Sequence, residues 1–91
     1  MALELIDSHT HLESFDKRGE TDAVLARARE AGVTRLITIG TSSEDWLRYR
    51  GLAEKHVGAV YYTVGLHPCS VDDRWSEEVA QIESFWHGNG A

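Results

Sequence analysis

The sequence predicts an α/β fold, a parallel sheet built in the order βαβαβα. Three observations predict it. Short apolar runs recur at Leu3 to Ile6, Arg35 to Ile39 and Ala59 to Val64. Segments of helical spacing separate them. Each run leads into a polar cluster: Asp7 to His11, Gly40 to Ser43, and Gly65 to Pro68. Strands that alternate with helices pair in parallel through right-handed crossovers.

Each element has its own warrant. Leu3 to Ile6, interrupted by Glu4, is the first strand, and the polar stretch Glu13 to Glu20 follows it. Thr21 is placed to cap a helix that runs to Gly32, with Val24, Leu25 and Ala28 on one face. "RLITI", Arg35 to Ile39, reads as a buried strand ending at Gly40. Ser42, with Asp45 three residues on, fits a capping box. Trp46, Tyr49, Ala53 and Val57 then follow helical spacing. "AVYYTV", Ala59 to Val64, is the third strand, closed by Gly65. After the loop Leu66 to Trp75, Ser76 caps a third helix, with Glu77 and Glu78 at its positive end. Val79, Ile82 and Trp86 form its buried stripe, and Gly88 ends it. Trp46, Trp75 and Trp86 are read as packing residues, Trp75 as part of a hydrophobic staple.

Composition bounds the function. Ninety-one residues, 42% hydrophobic and 26% charged, describe a soluble globular domain or part of one. No apolar stretch approaches the roughly 20 residues of a membrane helix, and residues 1 to 6 lack a signal-peptide pattern. The single cysteine, Cys69, excludes an internal disulfide and points to a reducing, cytoplasmic setting. A net charge of -6 excludes a broad basic surface for nucleic acid. A polyanionic substrate would have to be attracted by bound cations.

The chemistry concentrates in "LIDSHTHLE", Leu5 to Glu13. Residues two apart on an extended chain point the same way. His9 and His11 are therefore expected to aim both rings at one point, with Asp7 on the same side. Neutral imidazoles suit a divalent ion such as zinc, manganese or cobalt. Two histidines make half a site, because a catalytic ion needs further ligands and an open position. His67, in "VGLHPC", follows the third strand and is expected on the same rim. His56 and His87, near predicted helix ends, are assigned to terminal carbonyls and the helix dipole. Thr41, Ser42 and Ser43 fit a phosphate at a helix amino end or plain capping equally well. Cys69 reads as a soft ligand or, more simply, as a small buried or half-buried side chain.

"IDSHTHLE", "AREAGVTRLITIGTSSEDW" and "YYTVGLHPCSVDD" together resemble the amino-terminal part of the TatD family of metal-dependent hydrolases. The resemblance covers essentially the whole chain. It implies a TIM-type (β/α)8 barrel, of which residues 1–91 would be the first three βα units. It implies a deoxyribonuclease or other phosphodiesterase that uses two divalent ions, with zinc, magnesium or manganese as the metals. His9 and His11 match the family's first metal ligands and Asp7 the acidic residue before them. His67 matches the histidine of the Gly-x-His-Pro element beside the active site. Where relatives often carry another histidine after that proline, this chain has Cys69.

The same resemblance implies a glutamate at the end of a fourth strand, and two histidines and an aspartate farther on. None of them is in this span. The 91 residues alone are therefore expected to be inactive, and their open sheet is expected to self-associate. DNA or another phosphodiester is the expected substrate of the full-length form, with no membrane partner. Two other readings stay open: amide or lactone hydrolysis by the same His-x-His framework, and a non-catalytic oligomerising module whose histidines are remnants.

Overall fold

β2 (Val33–Thr38) is the centre of the sheet, flanked by β1 (Leu5–Thr10) and β3 (Val60–Tyr62). In this computed structural model, which describes residues 3–86 and 90–91, all three strands are parallel and adjacent in chain order. The α/β expectation and its strand order hold. Between the strands run α1 (Glu13–Lys17), α2 (Thr21–Glu30) and α3 (Ser43–Lys55), and after β3 come α4 (Trp75–Ala80) and α5 (Ile82–Trp86).

Alternation along β2 and β3 splits the sheet into two faces. Leu36, Thr38, Val60 and Tyr62 are buried beneath the helices. They join Leu12, Trp46, Tyr49, Leu52, Ala53 and Phe85 in the core. The opposite face carries Ile6 opposite Arg35, and Ile37 opposite Tyr61. Ile6 and Tyr61 are exposed, so no described element covers this face. At the outer edge of β3, Tyr62 N–H donates to the Gly90 carbonyl at 2.9 Å.

Several boundaries differ from the sequence reading. β1 extends through Asp7-Ser8-His9-Thr10, so the motif lies on the strand rather than beyond it. The stretch Glu13 to Glu20 contains α1, whose neighbour Leu12 is fully buried. Thr21 lies inside α2, and its hydroxyl donates to Asp16 instead of capping. Val57 falls beyond α3 and is exposed, while Leu52 takes its place in the core. Ser76 does not cap, because Arg74 holds that position. The third helix is broken between Ala80 and Ile82. The break shifts the phase, so Phe85 is buried while Val79 and Trp86 are exposed. Trp75 is also exposed, which leaves Trp46 as the tryptophan in the core. His87 and Gly88 lie outside the described residues.

Asp16 ties α1 to both following helices. Its carboxylate accepts from Arg48 Nη1 at 2.7 Å and from Thr21 Oγ1 at 2.9 Å. Burial pushes the Asp16 carboxyl up, but the bonds from Arg48 and Thr21 and the charges of Arg48 and Lys55 outweigh it. The net displacement is below the ordinary 3.8. A lowered folded value means that this contribution is complete above 3.8 and is lost as pH falls through the folded value. Because Arg48 is partly solvated, we expect Asp16→Asn to cost only about 1 kcal/mol at neutral pH. The variant should also lose less stability than the parent on acidification below 3.8, as urea midpoints across an acid series would show.

Candidate active site

The carboxyl ends of β1, β2 and β3 lie side by side, and the loops leaving them form one cleft of about 290 Å³. His9, His11, Ile39, Thr41, His67, Cys69 and Ser70 line it. The three histidines singled out from the sequence therefore share one rim. A larger hollow, about 330 Å³, opens at the other end of the strands between α2 and α3. Asp22, Arg29 and His56 are among its lining residues. His56 Nε2 sits 3.4 Å from Asp22 Oδ1 and has no hydrogen-bond partner among the described residues. That histidine thus reaches across to a side chain of α2, while its backbone N–H, not its ring, caps α3 through the Leu52 carbonyl.

His9 and His11 stand with ring centres 5.2 Å apart and planes at 77°. Their position is fixed from both sides. Ile39 N–H donates to the Thr10 carbonyl, and Leu12 N–H donates to Thr38 Oγ1. Leu12, fully buried, anchors the chain one residue after His11. Two imidazoles meeting one ion at about 2.0–2.1 Å in a tetrahedral arrangement would have ring centres about 5 Å apart. The observed spacing fits a shared ion. Among the described residues, however, no three His, Cys, Asp or Glu side chains are grouped to hold a metal. Two imidazoles alone do not complete a metal centre.

Asp7 departs from the expected geometry. β1 slips against β2 between Asp7 and Thr10: Asp7 lies opposite buried Leu36, and Thr10 opposite buried Thr38. Three residues of β1 therefore match two of β2, and the simple alternation that put Asp7 beside His9 fails. Asp7 does not line the cleft. Its Oδ1 accepts the backbone N–H of His9 at 3.1 Å, so it acts on the main chain rather than on a ring.

The loop carrying His67 is held at several points. Trp46 Nε1–H donates to the Gly65 carbonyl at 2.9 Å, and His67 N–H donates to the Thr41 carbonyl at 2.8 Å. A 3-10 turn over Pro68–Ser70 follows, in which His67 Nδ1 accepts Cys69 N–H at 3.0 Å. Cys69 is exposed, not half-buried.

The amino end of α3 settles the ambiguity at Thr41, Ser42 and Ser43. Asp45 accepts from the N–H groups of Thr41 and Ser42 and from the Thr41 hydroxyl, completing the capping box. Ser43 N–H donates to Glu78 Oε2 at 3.1 Å. The backbone N–H groups of all three residues are taken, by carboxylates that would repel a phosphate. Glu78 lies in the first turn of its own helix, as expected, and is also a buried cap on α3. No local pattern could reveal this, because the two residues are 35 apart in the chain.

Comparison with known proteins places these residues in context. Residues 6–90 match the family described as TatD related DNase. The chain is 37% identical over 76 residues to the 3'-5' ssDNA/RNA exonuclease TatD of a Pantoea species, covering 84% of this chain and 29% of that protein. It is 31% identical over 83 residues to the uncharacterized metal-dependent hydrolase YjjV of Escherichia coli, covering 91% and 32%. It is 33% identical over 64 residues to the deoxyribonuclease TATDN3 of Homo sapiens, covering 70% and 23%. The chain thus spans about a quarter to a third of the length of the curated relatives it matches. No solved structure matches it significantly.

Proposed function

The chain belongs to the TatD-related DNase family, and from that premise we propose that it is the amino-terminal part of a metal-dependent nuclease. The observation that carries the reading is the cleft in which His9, His11 and His67 meet at the carboxyl ends of parallel strands. That end is where (β/α)8 enzymes place their active sites. In this reading the three βα units are an arc of such a barrel, acting in the cytoplasm, and the substrate is single-stranded DNA or a related phosphodiester.

His9 and His11 would hold one divalent ion, with zinc, magnesium and manganese as the candidate metals and a second ion completed by residues beyond this span. Such ions supply Lewis acidity, polarising a phosphoryl oxygen and acidifying water. Asp7 is a positioning residue, holding the His9 backbone through its carboxylate. His67 faces the substrate phosphate or a water. The framework would offer these groups to an anionic substrate despite the net charge of -6.

The open sheet face, with Ile6 and Tyr61 exposed, is proposed to pair with a second copy when the chain stands alone. Apolar burial is worth roughly 25 cal/mol per Å², which favours covering such a face. One experiment joins both points: single-stranded DNA cleavage by the purified chain, with magnesium or manganese, alongside sedimentation equilibrium. We expect dimers or larger species and little or no cleavage, because two imidazoles do not complete a catalytic centre. Robust cleavage lost on His11→Ala would mean that another copy supplies the missing groups. A monomer at every concentration would overturn the pairing.

A further inference from the structure

The geometry points to His67 as a hydrogen-bond donor to an anionic oxygen through Nε2–H, and not as a metal ligand. The inference deepens the proposed nuclease reading and rests on it for the identity of the anion, a phosphate. An amide N–H can only donate, and Cys69 N–H points at His67 Nδ1 from 3.0 Å. Nδ1 must therefore present its lone pair. In a neutral ring the proton then sits on Nε2.

A metal-bound histidine has the opposite wiring. One ring nitrogen meets the ion and the other donates its N–H to a carbonyl, carboxylate or water. For His67 to ligate through Nε2 while Nδ1 accepts from Cys69, both nitrogens would have to be unprotonated, and an imidazolate is a costly species. Ligation through Nε2 would therefore require the ring to turn and give up the Cys69 N–H, in a turn whose main chain is held. His67 N–H is bonded to the Thr41 carbonyl, Ser70 N–H to the His67 carbonyl, and Pro68 fixes the backbone between them. Nε2 makes no hydrogen bond to the described residues, and the ring lines the cleft with His9, His11, Thr41 and Ser70. An Nε2–H donor lining the same cleft as His9 and His11 suits a phosphate oxygen.

The test uses the 91-residue chain labelled with 15N. Long-range 15N–1H correlation spectra read the tautomer of each ring directly. We expect the Nε2–H form for His67 without metal. Zinc should then move the ring signals of His9 and His11 and leave the His67 tautomer as it was. An Nδ1–H tautomer, or a metal-bound pattern at His67 on adding zinc, would overturn the assignment. The tautomer is read before metal is added. Failure of zinc to bind at His9 and His11 would therefore count against the metal reading and leave the His67 result to stand by itself.

Two variants carry the second arm, with inorganic phosphate titrated in the presence of magnesium. His67→Asn keeps an acceptor for Cys69 N–H and a donor toward the cleft. His67→Leu loses the donor and adds no charge, leaving the exposed Cys69 N–H to water. We expect the first to bind phosphate near the parental level and the second to bind about tenfold more weakly, the size of a lost hydrogen bond to a charged group. Equal phosphate affinity in His67→Leu and the parent would overturn the proposal.

Discussion

Trp46→Ala should leave this chain largely unfolded at 25 °C. Trp46 is fully buried, and its ring packs edge-on against Phe85 at 5.7 Å. Truncating a buried aromatic side chain costs about 3–5 kcal/mol. The Gly65 carbonyl also loses the indole N–H, worth about 1 kcal/mol. A domain of this length has roughly 5–10 kcal/mol in total, and a thin core puts it toward the lower end. The space that Trp46 occupies cannot be reached in another way. A Cβ on Gly40 would lie 2.2 Å from the Thr63 carbonyl oxygen and 2.7 Å from Trp46 Cδ1. Gly40→Ala should therefore cost several kcal/mol as well. Urea unfolding followed by circular dichroism measures both. A midpoint for Trp46→Ala within about 1 kcal/mol of the parent would show that the core does not depend on this ring. Trp46→Phe is the informative partner, because it keeps most of the volume and loses the N–H. It should stay folded while loosening the segment two residues before His67.

The fold class was legible because its signals are local. Apolar runs, the Ser42–Asp45 box and the spacing of Trp46, Tyr49 and Ala53 are all set within a few residues of each other. The meeting of His9, His11 and His67 was also legible, since parallel strands put their carboxyl ends together whatever the details. What the sequence hid came from long-range or register effects. The slip of β1 against β2 moved Asp7 off the histidine side, and nothing within "DSHTH" announces a bulge. Glu78 stands in the first turn of its own helix as the sequence implied, but it also caps a helix 35 residues away, which no local pattern shows. Phe85 and Trp86 exchanged places because a helix that breaks at Gln81 restarts its period. The tautomer of His67 depends on a turn whose geometry follows from Pro68, a residue visible in the sequence but mute about which ring nitrogen would face it.

Removing His9 and His11 should abolish whatever metal chemistry the chain supports. They are the proposed ligands, and a ligand that touches the ion should matter more than the residues behind it, whose loss typically costs about 10–100-fold. Two measurements separate binding from catalysis. In the 91-residue chain, calorimetry should show weak zinc binding, since only two imidazoles contribute, and His9→Ala with His11→Ala should remove it. In a chimera, this chain would replace the matching segment of the Pantoea exonuclease, to which it is 37% identical over 76 residues. The remaining units would then supply the groups absent here. The chimera should cleave single-stranded DNA with magnesium or manganese, and either histidine replacement should slow it by more than about a hundredfold. His56→Ala, at the opposite end of the strands beside Asp22, should leave the rate unchanged. If the doubly substituted chain binds zinc as well as the parent, these histidines are not the ligands. If the chimera folds and cleaves at the same rate without them, the cleft at the strand ends is not where the chemistry occurs.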